Sequence, residues 1–303
     1  MLRNNIVTKD YFTAFNEEYP KQIPVFYSPE MVVNFDSFSP SAGKPASVVE
    51  AWLVLGLPIE LIAPVPITTT QIKLTHSADY VDKILACEIK NGFGNKLPDV
   101  AKTLPFTTGA MLCAAREAVK NGKVAVAPCS GFHHAGYESA FGYCTFNGLM
   151  VTAMALKAEG LVNKVGILDF DMHYGDGTHS LIEHHKAASW IKHYSAGQEY
   201  TTVNQAQEFL KRIPELVVKM RDCDVILYQA GADPHIDDPL GGFLTTEQLQ
   251  KRDRLVFMMA DYLDFPIAWN LAGGYQTECD GGIQAVLEIH NNTMRECCKI
   301  YVR

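Results

Sequence analysis

The stretch "VGILDFDMHYGDGTHSL", Val165 to Leu181, gives the clearest indication of the fold class of this chain. It begins as a short apolar run and then places three aspartates and a histidine within the eight residues 169–176. An apolar strand followed by a polar turn and a helical pattern is typical of a βα unit in a parallel sheet covered on both faces. The charged residues then lie at the carboxyl end of a strand, the edge at which such sheets bind ligands.

Similar units recur along the chain. The sequence predicts strands at 23–28, 123–127, 164–169, 224–230 and 266–272. It predicts helices at 77–92 and at about 107–121, 146–160, 204–222, 246–263 and 280–298, whereas 29–47 and 92–106 are loop-like. No repeat or linker separates these units. The alternation therefore predicts one α/β domain over residues 1–303, with a mostly parallel sheet between helices.

Composition excludes several classes of protein. The 303 residues are 48% hydrophobic, enough for a large core, and the net charge of −8 with no long basic run disfavours intrinsic nucleic-acid binding. The N-terminal "MLRNNIVTKDYFTAF" has no apolar signal core, and no stretch is as apolar as a membrane span. The eight cysteines show no C-x-x-C spacing, which predicts reduced thiols. We expect a cytoplasmic protein with no membrane segment.

Four polar clusters follow the predicted strands: "GFHHAGYESAFGYC" (131–144), "DFDMHYGDG" (169–177), "GADPHIDDPLGG" (231–242) and "AGGYQTECDGG" (272–282). Within the second cluster, Asp171 and His173 could be two ligands of one metal ion, and Asp233 is a natural third. Two carboxylates and one imidazole leave a position open for water, as in a catalytic zinc site. Alternatively, the aspartates and the histidine could serve only as helix caps and turn residues.

The tandem His133-His134 gives the remaining acidic residues a role. Asp169 and Asp176 are free to pair with the two histidines, and such pairs fix the imidazole tautomer and raise its basicity. An imidazole of this kind suits a general base beside a metal. Tyr275, after two glycines, could donate its phenol proton to a developing oxyanion. Each pattern taken alone is also compatible with an ordinary turn or surface position.

In order and spacing, the four clusters resemble the histone deacetylase superfamily, which includes acetylpolyamine amidohydrolases. The resemblance runs from "LTHSADYV" (74–81) to "AGGYQ" (272–276). It implies the arginase-deacetylase fold, a single three-layer domain with an eight-stranded, mostly parallel sheet between helices. It also implies a zinc-dependent amidohydrolase that removes an acetyl or other short acyl group from acyl-lysine or from a polyamine.

The family pattern can be carried over residue by residue. It implies one Zn²⁺ per chain, bound by Asp171, His173 and Asp233. It further implies a catalytic set in which His134 is the general base backed by Asp176, His133 is its electrostatic partner backed by Asp169, and Tyr275 holds the acyl oxygen. Gly142 and Tyr143 fall where the family has the wall and the aromatic gate of the substrate tunnel.

Some positions depart from the family. "SWIKHYSAG" (189–197) stands where a strand end usually supplies a serine to a structural K⁺ ion, and "QEYTT" (198–202) replaces a second gate phenylalanine. Three alternatives stay open: an acetylpolyamine amidohydrolase, a binuclear manganese ureohydrolase like arginase, and a catalytically silent binding protein. The complete set of ligands, base and tyrosine favours a deacetylase.

Overall fold

Seven parallel strands form the centre of the structure, a computed structural model that describes residues 19–303. In chain order the strands are β1 Ile23–Phe26, β2 Ile59–Ile62, β3 Val124–Ala127, β4 Val165–Asp169, β5 Ile191–Ser195, β6 Val225–Gly231 and β7 Ile267–Ala272. Their order across the sheet is β2-β1-β3-β7-β6-β4-β5, and every neighbouring pair is parallel.

Helices cover both faces of this sheet. Their bounds are α1 Lys44–Val54, α2 Thr69–Ile72, α3 Ala78–Leu85, α4 Pro98–Asn121, α5 Gly148–Ala158, α6 Asp176–His184, α7 Ala206–Val218, α8 Thr246–Tyr262 and α9 Gln284–Tyr301. The helices α1, α7, α8 and α9 contribute to one apolar core, and α3 to α6 contribute to the other. The three-layer α/β architecture predicted from the sequence is therefore confirmed.

The predicted count of eight strands is wrong, because residues 19–303 contain seven. The five strands predicted from apolar runs are all present, each within two residues of its predicted bounds. The apolar pattern predicts neither β2 nor β5, which form the two edges of the sheet. Glu60 and Leu61 of β2 are exposed, and three consecutive residues of β5 are half-buried. An edge strand has fewer covering neighbours, so its sequence lacks a continuous apolar run.

The start of α4 also differs from the prediction. Residues 92–106 are loop-like in sequence, yet α4 begins at Pro98 and continues through Pro105. Proline is well suited to the first turn of a helix, where its missing N–H has no partner to lose. Leu104 before Pro105 and Ala110 and Met111 after it are all buried in the same apolar core, so packing continues on both sides of the proline. Packing has thus overridden the local preference of an internal proline.

Two further expectations concern thiols and membrane segments. All eight cysteines are free, as predicted. Within residues 19–303 no helix combines the length and the apolar character needed to cross a bilayer.

The order of the strands determines which loops meet. The four strands that precede the polar clusters, β3, β7, β6 and β4, are consecutive in the centre of the sheet. Because all run in the same direction, their carboxyl ends lie at one edge. The four clusters are thereby brought to one place.

Candidate active site

Asp171, His173 and Asp233 form a compact group of metal-binding side chains. One potential ligand atom from each lies within 4.8 Å of the others, and within residues 19–303 only this group of His, Cys, Asp or Glu has that geometry. The His173 Nδ1 atom lies 3.0 Å from Asp233 Oδ2 and 3.3 Å from Asp171 Oδ1. Both aspartates are buried, whereas His173 is partly exposed.

The carboxylates also shape the loop that follows β4. The backbone N–H of His173 donates to Asp171 Oδ1 at 2.9 Å, which turns the chain as it leaves the strand. The N–H of Met172 donates to Asp233 Oδ1 at 3.1 Å and joins this loop to the one after β6. The chain therefore turns between Asp171 and His173, and this turn brings both side chains of the D-x-H motif together.

This donor set fits a divalent cation such as Zn²⁺. Two carboxylates and one imidazole are ordinary zinc ligands, and they leave a coordination position for water or substrate. Hydrogen bonds to Asp171 and Asp233 raise the pKa of His173 to about 10. Burial and the charge of Asp171 raise the pKa of Asp233. The two carboxylates thus stabilise a positive charge on His173. A metal ion that binds His173 must displace the proton that carries this charge.

The structure brings together both predicted histidine–aspartate pairs. His133 Nδ1 lies 2.8 Å from Asp169 Oδ2, and His134 Nδ1 lies 2.6 Å from Asp176 Oδ1. The centroids of the two imidazole rings are 4.1 Å apart. His133 Nε2 is 3.7 Å from Asp171 Oδ1, so this pair borders the metal-binding group.

The two histidines have opposite electrostatic environments. Burial by itself lowers the pKa of His133, but the charges of Asp169 and Asp171 outweigh it and raise this pKa to about 9. Burial and the neighbouring charge of His133 lower the pKa of His134. His134 is therefore neutral near pH 7 and able to accept a proton, whereas His133 carries positive charge.

Asp169 lies at the centre of a buried hydrogen-bond network. In addition to His133, its carboxylate accepts hydrogen bonds from Gln229 Nε2 at 2.9 Å and from the N–H of Asp171 at 3.2 Å. Gln229 Oε1 in turn accepts from the N–H of Phe132 at 3.1 Å. Gln229 is not among the residues predicted from the sequence, although a glutamine inside the buried strand β6 is itself a signal.

Ser195 ends β5 within "SWIKHYSAG" and also lies beside this network. Its hydroxyl accepts from the N–H of Gly175 at 3.0 Å and lies 3.4 Å from Asp169 Oδ2. The strand end thus supports the loop that carries His173. The family resemblance implies a structural K⁺ ion near this strand end, and that implication stays a prediction.

Tyr275 lies on the loop after β7 and is largely buried. Its N–H donates to Asp238 Oδ2 at 2.8 Å, which fixes the loop. Burial, together with the charges of Asp233 and Asp171, raises the pKa of Tyr275 far above its usual value. The phenol therefore stays protonated and can donate a hydrogen bond at any physiological pH.

Gly142 and Tyr143 form a tight turn beside the histidines. Gly142 has φ = +52°, and a Cβ atom there would lie 2.5 Å from Cδ2 of His134. Tyr143 also has positive φ, +63°, and its ring lies 5.7 Å from that of Tyr275. The glycine leaves room for the His134 ring, while the tyrosine forms one wall of the site.

Lys44, at the start of α1, is a second residue of the site that the sequence did not predict. Its side chain is buried, and its ammonium donates to the carbonyl oxygen of Gly273, two residues before Tyr275. Burial lowers the pKa of Lys44 to about 8, a shift that the charges of Asp233 and Asp171 oppose. A lone lysine in the loop-like "SAGKPAS" gives no local signal of this position.

A cavity of about 840 Å³ opens beside Tyr275. The exposed ring of Phe38 lines it and stacks on Tyr275 at a centroid distance of 6.2 Å. Asp237 and Glu278 line the same cavity, and within residues 19–303 Lys44 is the only lysine or arginine that lines it. The mouth is therefore acidic.

Comparison with known proteins identifies a single protein family. The family described as "Histone deacetylase domain" matches residues 41–200 and 194–289. Histone deacetylase 15 of Arabidopsis thaliana is 29% identical over 155 residues, which cover 47% of this chain and 27% of that protein. The chain thus spans less than two thirds of the length of this relative.

Two solved structures share the fold. The crystal structure of the HDA15 HD domain superposes with a TM-score of 0.75 at 17% identity, covering 94% of this chain and 90% of that one. The acetylpolyamine aminohydrolase from Burkholderia pseudomallei has a TM-score of 0.72 at 16% identity, covering 92% of this chain and 99% of that one.

Proposed function

This chain belongs to the histone deacetylase family, and on that premise we propose that it is a zinc-dependent amidohydrolase that removes an acetyl or other short acyl group from an amine. One observation carries the proposal. The group of Asp171, His173 and Asp233, in which both carboxylates are buried, lies directly beside His133 and His134, each paired with a carboxylate. Such an arrangement combines a cation site with a general base, which is what amide hydrolysis by water requires.

The metal would be held by Asp171, His173 and Asp233. When bound there, zinc would act as a Lewis acid that polarises a carbonyl and acidifies water. The surrounding residues would supply the proton transfers and orient the substrate.

The histidines and Tyr275 have distinct proposed roles. His134 takes a proton from the attacking water as the new C–O bond forms, and delivers it to the nitrogen as the C–N bond breaks. Asp176 holds the His134 ring in the tautomer that leaves Nε2 free to accept. Tyr275 donates its phenol hydrogen bond to the acyl oxygen as negative charge develops there. The products are a carboxylic acid and a free amine.

Acyl-lysine is the proposed substrate, and acetylated polyamines are the second candidate. The acidic mouth formed by Asp237 and Glu278 favours a cationic substrate, and a polyamine retains positive charge after one nitrogen is acetylated. The fold shared with an acetylpolyamine aminohydrolase is compatible with either substrate.

A substrate panel tests the proposal. Acetyl-lysine peptides, longer acyl-lysine peptides and acetylated polyamines are offered to the zinc-loaded protein and to Tyr275→Phe. We expect wild type to hydrolyse one class of these substrates. The variant should lose about 10²–10³-fold in kcat on that class, because one oxyanion donor is gone. The matched control Tyr137→Phe removes a phenol whose ring stacks on His184 instead, and should retain activity.

Metal analysis separates the remaining alternatives. We expect one equivalent of zinc per chain. Two equivalents of manganese with hydrolysis of a guanidino substrate would indicate a ureohydrolase. A zinc-loaded protein that hydrolyses no acyl amide would contradict the proposed function.

A further inference from the structure

A buried ion pair lies on α8, one of the helices that pack against the core shared by α1, α7 and α9. Arg252 and Asp253 are both fully buried, and Arg252 Nε donates to Asp253 Oδ1 at 2.8 Å. Asp253 also accepts from the Tyr228 hydroxyl and from Thr293 Oγ1, the latter at 2.6 Å. Burying a guanidinium is costly unless its charge is paired and its donors are used. The acceptors of the other Arg252 N–H groups therefore indicate what this side chain does.

Arg252 uses a further donor to join two strand ends. Its Nη1 atom donates to the carbonyl oxygen of Phe170 at 3.1 Å and to that of Gly231 at 2.6 Å. Phe170 immediately precedes the ligand Asp171, and Gly231 lies two residues before the ligand Asp233. A single guanidinium nitrogen thus holds together the two segments that carry the carboxylate ligands.

Arg252 joins these segments at the point where the pairing of β4 with β6 ends, although β6 itself stays paired with β7 up to Gly231. The pairing of β4 with β6 extends to Asp169 and Gln229, with the N–H of Phe170 donating to Gln229 O. Beyond this point the backbones stay very close, since a Cβ atom on Gly231 would lie 2.6 Å from the Cα atom of Asp171. Two buried carboxylates of like charge lie at this junction, so their separation depends on the positive charge between them, which is the protonated His173 in the metal-free protein.

We propose that Arg252 is a positioning residue for the metal site, which fixes the separation of Asp171 and Asp233 through the carbonyl oxygens of Phe170 and Gly231. Asp253 holds the guanidinium in its orientation. The arrangement is preformed, because it uses only side chains and carbonyl groups of the folded chain. The inference rests on the proposed function only in treating Asp171 and Asp233 as metal ligands.

Metal affinity of Arg252→Met tests this role without any substrate. The methionine keeps the apolar stem and removes all donors, so the two strand ends lose the connection through the guanidinium and keep the hydrogen bond from Met172 N–H to Asp233. We expect the dissociation constant for Zn²⁺, measured by competition with a chelator, to rise about 10- to 100-fold, as for other residues that orient metal ligands. Arg252→Lys, with one compact ammonium, should give a smaller loss.

Thr293→Val is the matched control. Thr293 is buried and donates to the same Asp253, but its hydroxyl does not contact the strand ends. We expect it to lower the melting temperature of the metal-free protein while leaving zinc affinity unchanged. The visible spectrum of bound Co²⁺, which depends on ligand geometry, should change in Arg252→Met and not in Thr293→Val.

The possible results are distinguishable. Equal zinc affinity in wild type and a folded Arg252→Met would overturn the inference, as would equal losses in Arg252→Met and Thr293→Val. Should Arg252→Met fail to fold, Arg252→Lys decides by the same comparison. If the wild type binds zinc through these aspartates but hydrolyses no acyl amide, the proposed function fails while the role of Arg252 stands.

Discussion

Acid should destabilise this protein through His76, a buried histidine far from the metal ligands in sequence. His76 Nδ1 lies 2.8 Å from the carbonyl oxygen of Gly136, and Nε2 accepts from the N–H of Asn147 at 2.9 Å. These contacts require the neutral tautomer with hydrogen on Nδ1. They tie the loop that carries His133 and His134 to the start of α5. A proton added to His76 Nε2 would point at the N–H of Asn147, so this hydrogen bond would be lost.

The direction and the size of the effect follow from the pKa of His76. Burial lowers this pKa from 6.5 to about 4. As pH falls from 6.5 towards 4, the unfolded chain binds a proton that the folded chain does not, so stability falls with pH in this window. The maximum loss is about 3 kcal/mol, because each pH unit of the window contributes about 1.36 kcal/mol. Above pH 6.5 this contribution to stability is complete.

Urea unfolding of the metal-free protein between pH 7 and pH 4 measures this contribution. His76→Gln keeps one donor and one acceptor but does not titrate, so its free energy of unfolding should depend less on pH than that of wild type. We expect the difference between the two proteins to change by about 3 kcal/mol across the window. His179→Gln, at an exposed position, is the control and should follow wild type. A parallel loss of stability in His76→Gln and wild type would refute this role of His76.

Two further predictions concern the histidine pair. Gly142→Ala should lower kcat without weakening zinc binding, because its Cβ would lie 2.5 Å from the His134 ring and φ is +52°; an unchanged kcat would contradict this packing. Asp176→Asn should lower kcat about 10²-fold. This is the lower end of the range for general acid–base catalysis, and we expect it because the Asp176 side chain is partly exposed. Steady-state kinetics with a chelator titration checks both variants, and a large loss of zinc affinity in either would argue against separate roles for base and metal site.

Local sequence patterns located the central strands and the residues at their ends. A strand covered on both faces must be apolar along its length, so β3, β4, β6 and β7 are visible as apolar runs. The polar residues that follow them cannot belong to the core and must lie at the edge of the sheet. Asp171, His173 and Asp233 could therefore be grouped from the sequence alone, as could the two tandem histidines.

The parallel α/β architecture and the candidate ligands, base and tyrosine could thus be predicted from the sequence, because they depend on local patterns. Tertiary packing was needed to see the seven strands of residues 19–303, their order across the sheet, and the contacts of Lys44, Gln229 and Arg252. Each of these side chains acts on a partner far away in sequence, and no local periodicity encodes such a partner. Burial of a charged or polar group is a property of the packed layers, and it is fixed only when the helices close over the sheet.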